Sequence, residues 1–363
     1  MPSKISWWRT NFGVEEADRI AASIAQEHIS QGPETAEFER RLAALLGVPH
    51  VVATTSGSTA LLMSLIAAGV GPGDEVIVPN RGWIAAAHAV RLLGAKVVLA
   101  DVQAGTPLLD VDDAAGRVTP KTRVIVPVHL NGRSVDMDAV NRLAAERGLI
   151  VIEDAAQALC SRNALGPLGG QSFAGCFSFS VAKIISTGQG GFIATRDAAT
   201  YRRLSLMRTH GVADVVNAEW TEFGFNFRFT DILASIGLVQ LGRLAGRIEQ
   251  VKTIHAQYEA GLRGVESVKL ISVNVAAGEI PIYIEVLCPA RAALIAFLAD
   301  RGIETRPFHP DLNLARYLDN PGVFPHSAVF ATQGLVLPSG PGQTAGNVQR
   351  VLDEVRRFDA KRP

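Results

Sequence analysis

Lys183 is the residue whose type and surroundings point most directly to chemistry. It lies between an apolar run, Gly175 to Phe179, and a glycine-rich turn, Thr187 to Gly191. An ammonium group is costly to remove from water without a partner, so a lysine here either reaches solvent or is kept neutral for chemistry. A neutral amine is a nucleophile, and the second alternative makes Lys183 a candidate for forming a Schiff base with a carbonyl group.

Polar and aromatic residues at the ends of other predicted strands could act together with this lysine. Asp154 ends an apolar run, where its carboxylate either pairs with a cationic group or caps the segment that follows. Ser56 to Thr59 lie between a predicted strand and a predicted helix, where they either bind a phosphate or cap the helix. Trp83 follows another strand and is either a flat ligand contact or a core side chain. Because all these features fall at strand ends, they favour one shared site.

The elements that must position these residues alternate between strand and helix from about residue 50 to about residue 195. Runs such as His50 to Thr54 and Leu149 to Glu153 are typical of buried strands, and segments with helical spacing separate them. This order predicts βαβ units with right-handed crossovers. The fold class is therefore α/β, with a mostly parallel central sheet flanked by helices.

Further expectations concern where elements and domains end. The spacing of apolar residues predicts helices over Val14 to Ile29 and Trp83 to Leu93, and a strand over Thr122 to Val128. A long helix from Asp231 to about Ala260 is expected to link two lobes. We therefore expect a large domain over residues 1–245 and a smaller C-terminal α/β domain over residues 246–363.

The composition indicates a globular protein without an electrostatic preference for a charged partner. Basic and acidic residues each total 35, so the formal net charge is zero, and 48% of the residues are hydrophobic. This balance argues against binding to nucleic acid or an anionic membrane, and no apolar run is long enough to span a bilayer. Cys160, Cys176 and Cys288 match neither a disulfide framework nor a zinc-site pattern. We expect reduced thiols, no metal, and a cytoplasmic protein without a targeting segment.

Several separate blocks of the chain resemble the DegT/StrS type of sugar aminotransferase, a family of pyridoxal-phosphate enzymes with the aspartate aminotransferase fold. The blocks are TSGSTALLMSL, GPGDEVIVPNRGWIAAAHAV, GAKVVLADV, VIVPVHLNGRSVDMDAV, VIEDAAQAL, GCFSFSVAKIISTGQGGFIAT and FGFNFRFTDILASIGLVQL. Their order and separations agree from about residue 30 to about residue 250. The resemblance implies a fold type I protein that binds pyridoxal 5′-phosphate.

Three residues in these blocks resemble the catalytic centre of the family. Lys183 looks like the lysine that forms a Schiff base with the cofactor, Asp154 like the partner of its pyridinium nitrogen, and Gln157 like the residue that faces its ring hydroxyl. Charge pairing with Asp154 would keep the ring nitrogen protonated, which makes the ring an electron sink. Lysine normally titrates near about 10.4, so the site must be apolar and cation-rich to leave its amine available.

Other positions resemble the binding residues of the family. Trp83 matches the aromatic residue stacked on the pyridine ring. Asn226 matches an asparagine that reaches the phosphate of the neighbouring protomer's cofactor, which implies a homodimer with shared active sites. The phosphate contacts implied within the chain are Gly57, Ser58 and Ser178, and the implied substrate contacts are Arg228 and Arg306.

The activity that the resemblance implies is transfer of an amino group from L-glutamate to a nucleotide-linked keto-deoxy sugar, as in deoxyamino-sugar or lipopolysaccharide biosynthesis. Phe225 and Phe227 stand where many relatives have tyrosine, and Asn313 stands where histidine is common, so the identity of the acceptor is open. A sugar dehydratase subgroup has histidine in place of the lysine, and Lys183 argues against that subgroup. Two alternatives remain: amination of a free keto-cyclitol, and a non-catalytic regulator that keeps the cofactor fold.

Overall fold

The computed structural model describes residues 4–9, 11–214 and 216–360. The helices are α1 (Val14–Ala25), α2 (Pro33–Leu46), α3 (Gly57–Ala67), α4 (Ala85–Leu92), α5 (Val111–Gly116), α6 (Met137–Arg147), α7 (Ala198–Arg208), α8 (Asp231–Gly242), α9 (Leu244–Gly261), α10 (Arg291–Ala299), α11 (Pro325–Gln333) and α12 (Ala345–Asp359). The strands are β1 (His50–Thr54), β2 (Glu75–Pro79), β3 (Lys96–Ala100), β4 (Thr122–Ile125), β5 (Ile150–Asp154), β6 (Arg162–Asn163), β7 (Gly166–Pro167), β8 (Ala174–Ser178), β9 (Gly191–Thr195), β10 (Lys269–Leu270), β11 (Ile284–Leu287), β12 (Arg306–Pro307) and β13 (Gly334–Leu337).

A seven-stranded sheet carries the residues that the sequence analysis places at strand ends. Its strand order is β1-β9-β8-β5-β4-β2-β3. Strand β9 runs antiparallel to both of its neighbours, whereas each of the other adjacent pairs is parallel. Strand β2 is buried along its whole length, which explains its apolar run. The predicted α/β fold with a mostly parallel sheet is confirmed.

The segment predicted as one helix from Asp231 to about Ala260 is two helices, because α8 and α9 are interrupted at Arg243. Gly242 ends α8, and glycine is a poor helix residue. The side chain of Arg243 donates to Glu15 at 2.7 Å and to Glu16 at 2.8 Å, which ties this turn to α1. The link between the lobes is therefore a helix pair and not a single rod.

Three other elements are shorter than predicted, each for a local reason. The helix expected over Val14 to Ile29 ends as α1 shortly before Glu27, whose φ of 59° is left-handed. The strand expected over Thr122 to Val128 ends as β4 before Pro127, which has no N–H for ladder pairing. The helix expected to start at Trp83 begins two residues later as α4, so Trp83 lies in the preceding turn.

A second sheet forms the core of a C-terminal lobe. Its strand order is β10-β11-β13-β12, and all of its pairs are antiparallel. Its buried cluster includes Tyr258, Leu294 and Val351, and it also includes Ile5, which bridges Ile303. The N-terminal segment thus packs into the C-terminal lobe. The division of the chain after residue 245 stays a prediction.

The turn of residues 131–133 joins the two sheets. The side chain of Asn131 clamps the backbone of Tyr283, because its Oδ1 accepts from Tyr283 N at 2.6 Å and its Nδ2 donates to Tyr283 O at 2.9 Å. Arg133 Nη1 donates to Glu285 Oε2 at 2.5 Å, and both side chains are buried. Removing one partner of a buried ion pair is strongly destabilising. These contacts therefore fix the position of the C-terminal lobe against the seven-stranded sheet.

Three further properties of the described residues bear on function. No described helix combines the length and the apolar character that a membrane crossing needs. Over the same residues, no three His, Cys, Asp or Glu side chains gather as metal ligands. Within this part of the chain, Cys160 and Cys176 form no disulfide bond.

Candidate active site

Asp154 is the last residue of β5 and is buried at the carboxyl edge of the parallel strands. Its Oδ1 accepts from Ala156 N at 3.1 Å, but the residues that follow form turns, so Asp154 does not cap a helix. Burial raises the pKa of Asp154, while the hydrogen bond from Ala156 N and the positive charge of Lys183 oppose that rise. A buried carboxylate in this position is suited to a cationic partner.

Lys183 lies in the loop of residues 179–190, which joins β8 to β9. Backbone hydrogen bonds close this loop, from Thr187 N to Phe179 O at 3.0 Å and from Lys183 N to Ser180 O at 3.1 Å. The lysine is half-buried. Its removal from water lowers the pKa of Lys183 to about 8, against the opposing attraction of Asp154. The amine is therefore much closer to its neutral form at physiological pH than an ordinary lysine, which favours the nucleophile over the solvent-reaching side chain.

The N-terminus of α3 forms a polar cradle next to β8. Ser56 Oγ accepts from Thr59 N at 3.0 Å, so Ser56 is the helix cap and Ser58 is left exposed. Gly57 packs so closely on Ser178 that an added Cβ would lie 2.9 Å from Ser178 Cβ. First-turn N–H groups and the helix dipole favour an anion at such a site, and the hydroxyls of Ser58 and Ser178 add donors.

Trp83 is not a core tryptophan, since 57% of its surface is exposed. Its ring meets that of His309 edge-on, with the ring centroids 4.8 Å apart. Partial burial and the charges of Arg81 and Lys183 lower the pKa of His309, so this histidine is electrostatically coupled to the lysine. The charge of Lys183 therefore acts on the histidine that the exposed indole contacts.

Gln157 follows Asp154 by three residues and has a defined amide orientation. Its Oε1 accepts from Asn131 N at 2.8 Å. The oxygen is thereby engaged, and the amide nitrogen remains as a donor for a ligand. The contact also connects Gln157 to the turn that clamps the C-terminal lobe.

Asn226 and Arg228 are only partly brought to this site. Asn226 is exposed, and its Oδ1 accepts from Arg228 N at 3.4 Å. The backbone of Arg228 bridges Thr54, at the end of β1, close to the start of α3. No hydrogen bond or ion pair within the described part of the chain joins either side chain to Lys183.

Arg306 lies on β12, at the edge of the second sheet. It donates to Glu304 at 3.0 Å and stands over the ring of Trp7 at 5.4 Å. Trp7 in turn lies 6.2 Å from Tyr283, between ring centroids. The guanidinium is exposed and lies near the rings of Trp7 and Tyr283. It makes no direct contact with Lys183.

A buried histidine and glutamate beside Asp154 were missed in the sequence analysis. His129 Nε2 lies 3.1 Å from Glu153 Oε2, and Val135 N donates to His129 Nδ1 at 3.2 Å, so the Nε2 proton points to the carboxylate. The backbone N–H of His129 donates to Asp154 O at 3.0 Å. Burial disfavours the charged form of Glu153, but His129 and backbone N–H groups outweigh it and hold the pKa of Glu153 low. The position of His129, just beyond β4, was the available signal.

The anchor of the C-terminal segment 309–313 was also missed. Arg81 is buried and donates through Nη1 to His309 O and to Asp311 Oδ1, both at 2.7 Å. Asn80 Nδ2 donates to Asn313 Oδ1 at 3.0 Å, and Asn313 N donates back to Asn80 Oδ1 at 2.9 Å. The side chain of Asn313 therefore fastens this segment onto the turn that carries Trp83. No local pattern predicts such a contact, because its partners are more than 200 residues apart.

The chemistry of these groups fits an aromatic aldehyde that carries a phosphate and a basic ring nitrogen. The cradle beside Gly57 suits the phosphate, and Asp154 suits a protonated nitrogen. Trp83 offers a flat apolar face, while Lys183 offers an amine that can condense with an aldehyde. Pyridoxal 5′-phosphate has all of these features.

Comparison with known proteins places the chain among aminotransferases. The model of the DegT/DnrJ/EryC1/StrS aminotransferase family matches residues 11–356. The chain is 36% identical over 336 residues to GDP-perosamine synthase of Caulobacter vibrioides, covering 89% of each protein. It is 34% identical over 333 residues to dTDP-3-amino-3,4,6-trideoxy-alpha-D-glucose transaminase of Streptomyces venezuelae, covering 90% of this chain and 87% of that one. The structure of S. venezuelae DesV in complex with a ketimine intermediate superposes with a TM-score of 0.92 at 32% identity, covering 96% of this chain and 95% of that one.

Proposed function

Because the chain belongs to the DegT/DnrJ/EryC1/StrS aminotransferase family, we propose that it transfers an amino group from L-glutamate to a nucleotide-linked keto-deoxy sugar. The protein is a sugar aminotransferase that depends on pyridoxal 5′-phosphate. GDP and dTDP appear in the names of two relatives, which supports a nucleotide-linked acceptor. The residue assignment rests on the electrostatic attraction between the Lys183 amine and the buried carboxylate of Asp154, at the end of β5.

Lys183 and Asp154 are proposed as the catalytic pair. The cofactor, when bound, supplies an aldehyde that condenses with amines and a ring that accepts electrons. With a pKa of about 8, Lys183 Nζ both accepts and returns a proton near neutral pH, which suits a general acid–base that alternates between donor and acceptor substrates. Asp154 supplies the negative charge that stabilises a protonated ring nitrogen.

The remaining cofactor contacts are assigned by position. The first-turn N–H groups of Gly57 and Ser58, with the hydroxyl of Ser178, would hold the phosphate. The amide nitrogen of Gln157 is the donor available to the ring hydroxyl, since Asn131 engages the amide oxygen. Trp83 would cover one face of the ring with its exposed indole.

Arg228 and Arg306 are proposed as substrate contacts. A guanidinium binds carboxylates and phosphates through two parallel hydrogen bonds, so both the amino donor and a nucleotide diphosphate suit these side chains. Separate Arg228→Met and Arg306→Met proteins should raise the KM of the substrate that each arginine binds. An unchanged KM for both substrates in a variant would remove that arginine from the proposal.

A homodimer with shared active sites is part of the proposal. Four large apolar residues preceding Asn226 are strongly exposed, and 60% to 85% of their surface is accessible in the single chain: Val216, Trp220, Phe223 and Phe225. An exposed apolar patch of this kind is typical of a protein interface. Asn226 continues the same segment, and its lack of contact with the lysine of its own chain is compatible with a role at the partner's phosphate.

Mixing two inactive variants tests this shared site. A heterodimer of Lys183→Ala and Asn226→Ala subunits has one site with both defects and one intact site, if Asn226 acts across the interface. Activity should therefore reappear on mixing, and light scattering should report a dimer. If Asn226 acts within its own chain, each site keeps one defect and mixing restores nothing.

The aminotransferase assignment of the residues can be tested with purified protein. The cofactor attached to Lys183 should absorb visible light, L-glutamate should bleach this band, and borohydride reduction should fix the cofactor on the Lys183 peptide. Lys183→Ala should abolish these properties, whereas Lys252→Ala, at an exposed ion pair with Glu249, should retain them. Wild-type turnover by Lys183→Ala would overturn the assignment.

The acceptor class needs a separate screen. Keto-sugar nucleotides and free cyclitol ketones should be compared in the presence of glutamate, with release of 2-oxoglutarate as the readout. Turnover only with nucleotide-linked sugars is expected, and turnover only with cyclitols would replace the proposed acceptor. No turnover together with intact cofactor binding would indicate the regulatory alternative.

A cytoplasmic location and a role in deoxyamino-sugar or lipopolysaccharide biosynthesis complete the proposal. Cys160 and Cys176 form no disulfide bond, which supports a reducing compartment. The amino-sugar products in the names of the two relatives support the biosynthetic role. Fractionation of cells, with the enzyme followed by activity, tests the location.

A further inference from the structure

Side chains from distant elements donate hydrogen bonds to the backbone carbonyl groups of the two residues that precede Lys183. Trp8 Nε1 donates to Val181 O at 3.0 Å, and the hydroxyl of Tyr283 donates to Ala182 O at 2.5 Å. We propose that Trp8 and Tyr283 are positioning residues that set the location of the Lys183 amine. This inference rests on the proposed role of Lys183 and adds two residues, from the N-terminal segment and the C-terminal lobe, to its support.

Tyr283 connects the C-terminal lobe to the loop of residues 179–190, which carries Lys183. Its backbone is held on both sides by Asn131, at 2.6 Å and 2.9 Å, and the N–H of Asn131 in turn holds Gln157. Burial raises the pKa of Tyr283 far above neutral, so its phenol keeps the donated proton at working pH. One rigid connection therefore runs from the turn beside Gln157, through Tyr283, to the residue before Lys183.

Trp8 is fixed by packing on two sides. Its ring meets Tyr283 edge-on, with the ring centroids 5.5 Å apart. On another side it packs on Gly340, where an added Cβ would lie 2.5 Å from the indole. The indole has few alternative positions, and its N–H pairs with the carbonyl of Val181, which loses this hydrogen bond if the ring is removed. Trp8 and Tyr283 therefore act on the lysine loop as one packed unit.

These contacts matter for chemistry because lysine is a flexible side chain. Its amine stands at the end of a four-carbon stem, so the position of the nitrogen depends on where the backbone is held. Misplacement of a reacting group by about 1 Å can cost about 100-fold in rate. The hydrogen bonds to residues 181 and 182 remove backbone freedom immediately before the reacting side chain.

Tyrosine-to-phenylalanine variants separate positioning from stability. Tyr283→Phe removes the hydroxyl that binds Ala182 O. Tyr258→Phe is a matched control, since its buried hydroxyl donates to Pro338 O at 2.9 Å in the C-terminal lobe core. Trp8→Phe removes the second donor and serves as an independent variant if Tyr283→Phe does not fold.

The readouts are the rate of covalent attachment of pyridoxal 5′-phosphate to the apoprotein, kcat and KM for glutamate, and Tm. Tyr283→Phe and Trp8→Phe should slow attachment and lower kcat, each by roughly 10-fold, with little change in KM. Tyr258→Phe should lower Tm while leaving attachment and kcat at wild-type values.

Two results would overturn the inference. Wild-type attachment rates in both Tyr283→Phe and Trp8→Phe would show that the lysine does not need these donors. Equal slowing by Tyr258→Phe would show a general effect of lost stability. Failure of the proposed function is distinct from both, because the wild-type protein itself would then attach no cofactor at Lys183.

Discussion

The reactivity of Lys183 should titrate far below that of an ordinary lysine. Removal of the side chain from water lowers its pKa to about 8, and Asp154 only partly opposes this shift. Only the neutral amine is nucleophilic, so reactivity should rise as the pH increases through about 8. The useful perturbation is Asp154→Asn, which deletes the opposing charge and leaves a side chain of similar size.

The expected difference is large enough to measure directly. At pH 7.5 an amine with a pKa of about 8 is about one quarter neutral, whereas one at the ordinary value of 10.5 is about 0.1% neutral, a difference of about 200-fold. Asp154→Asn should move the midpoint further down, because the lost carboxylate favoured the protonated amine. The same variant should lower turnover by roughly 100-fold, since the ring nitrogen loses its preorganised partner.

Competitive labelling of the apoprotein measures this titration without using enzyme activity. The protein is exposed to acetic anhydride over a range of pH, and mass spectrometry compares modification of Lys183 with that of exposed Lys121 as an internal reference. Titration of Lys183 at pH 10 or above would refute the reasoning from burial. A midpoint that rises in Asp154→Asn, or turnover that does not fall, would refute the assigned role of the carboxylate.

Three further substitutions test the cradle, the joining turn and the buried carboxylate. Gly57→Ala should leave the protein folded but weaken cofactor binding at least about 10-fold. The reason is that the new Cβ would lie 2.9 Å from that of Ser178. A wild-type affinity in a cofactor titration would contradict this prediction. Gly132→Ala should destabilise the protein by roughly 2–4 kcal/mol in urea unfolding, since φ is +74° and the new Cβ would lie 2.1 Å from Ile280 O; a loss below about 1 kcal/mol would exclude the clash. Glu153→Gln should cost about 2–3 kcal/mol at pH 7, because its buried carboxylate accepts from four donors at 2.7–3.1 Å. The difference from wild type should begin to shrink below about pH 4.5, because the carboxylate of the unfolded chain then takes up a proton while the low pKa of the folded carboxylate keeps it ionised. A constant difference would argue against charge as its cause.

Local sequence patterns were sufficient to predict most of the sheet and several candidate site residues. Asp154 ends a β-branched run, and Gly57 follows another, so the rule that ligands bind at the carboxyl ends of parallel strands points to both. Lys183 is found because a charge among apolar residues is conspicuous in any short window. The same windows do not reveal that β9 runs antiparallel, since strand direction depends on the path of the intervening loop.

Contacts between distant residues could not be predicted in this way. Trp8 and Val181 are 173 positions apart, and Tyr283 and Ala182 are 101 positions apart. Tryptophan or tyrosine at these positions is equally compatible with an ordinary core. The break between α8 and α9 was missed for a similar reason, because the ion pairs of Arg243 that hold it reach back to α1.

The sequence by itself determined the order of strands and helices, the strand-end chemistry and the family, because these depend on residue types and short spacings. Only the tertiary structure decided the electrostatic state of the lysine. Its pKa depends on how much water packing removes and on how near Asp154 comes, and both follow from bringing together β5, the loop after β8 and the C-terminal lobe. A side chain that is an ordinary base in the unfolded chain therefore holds its proton much less tightly once that packing is complete.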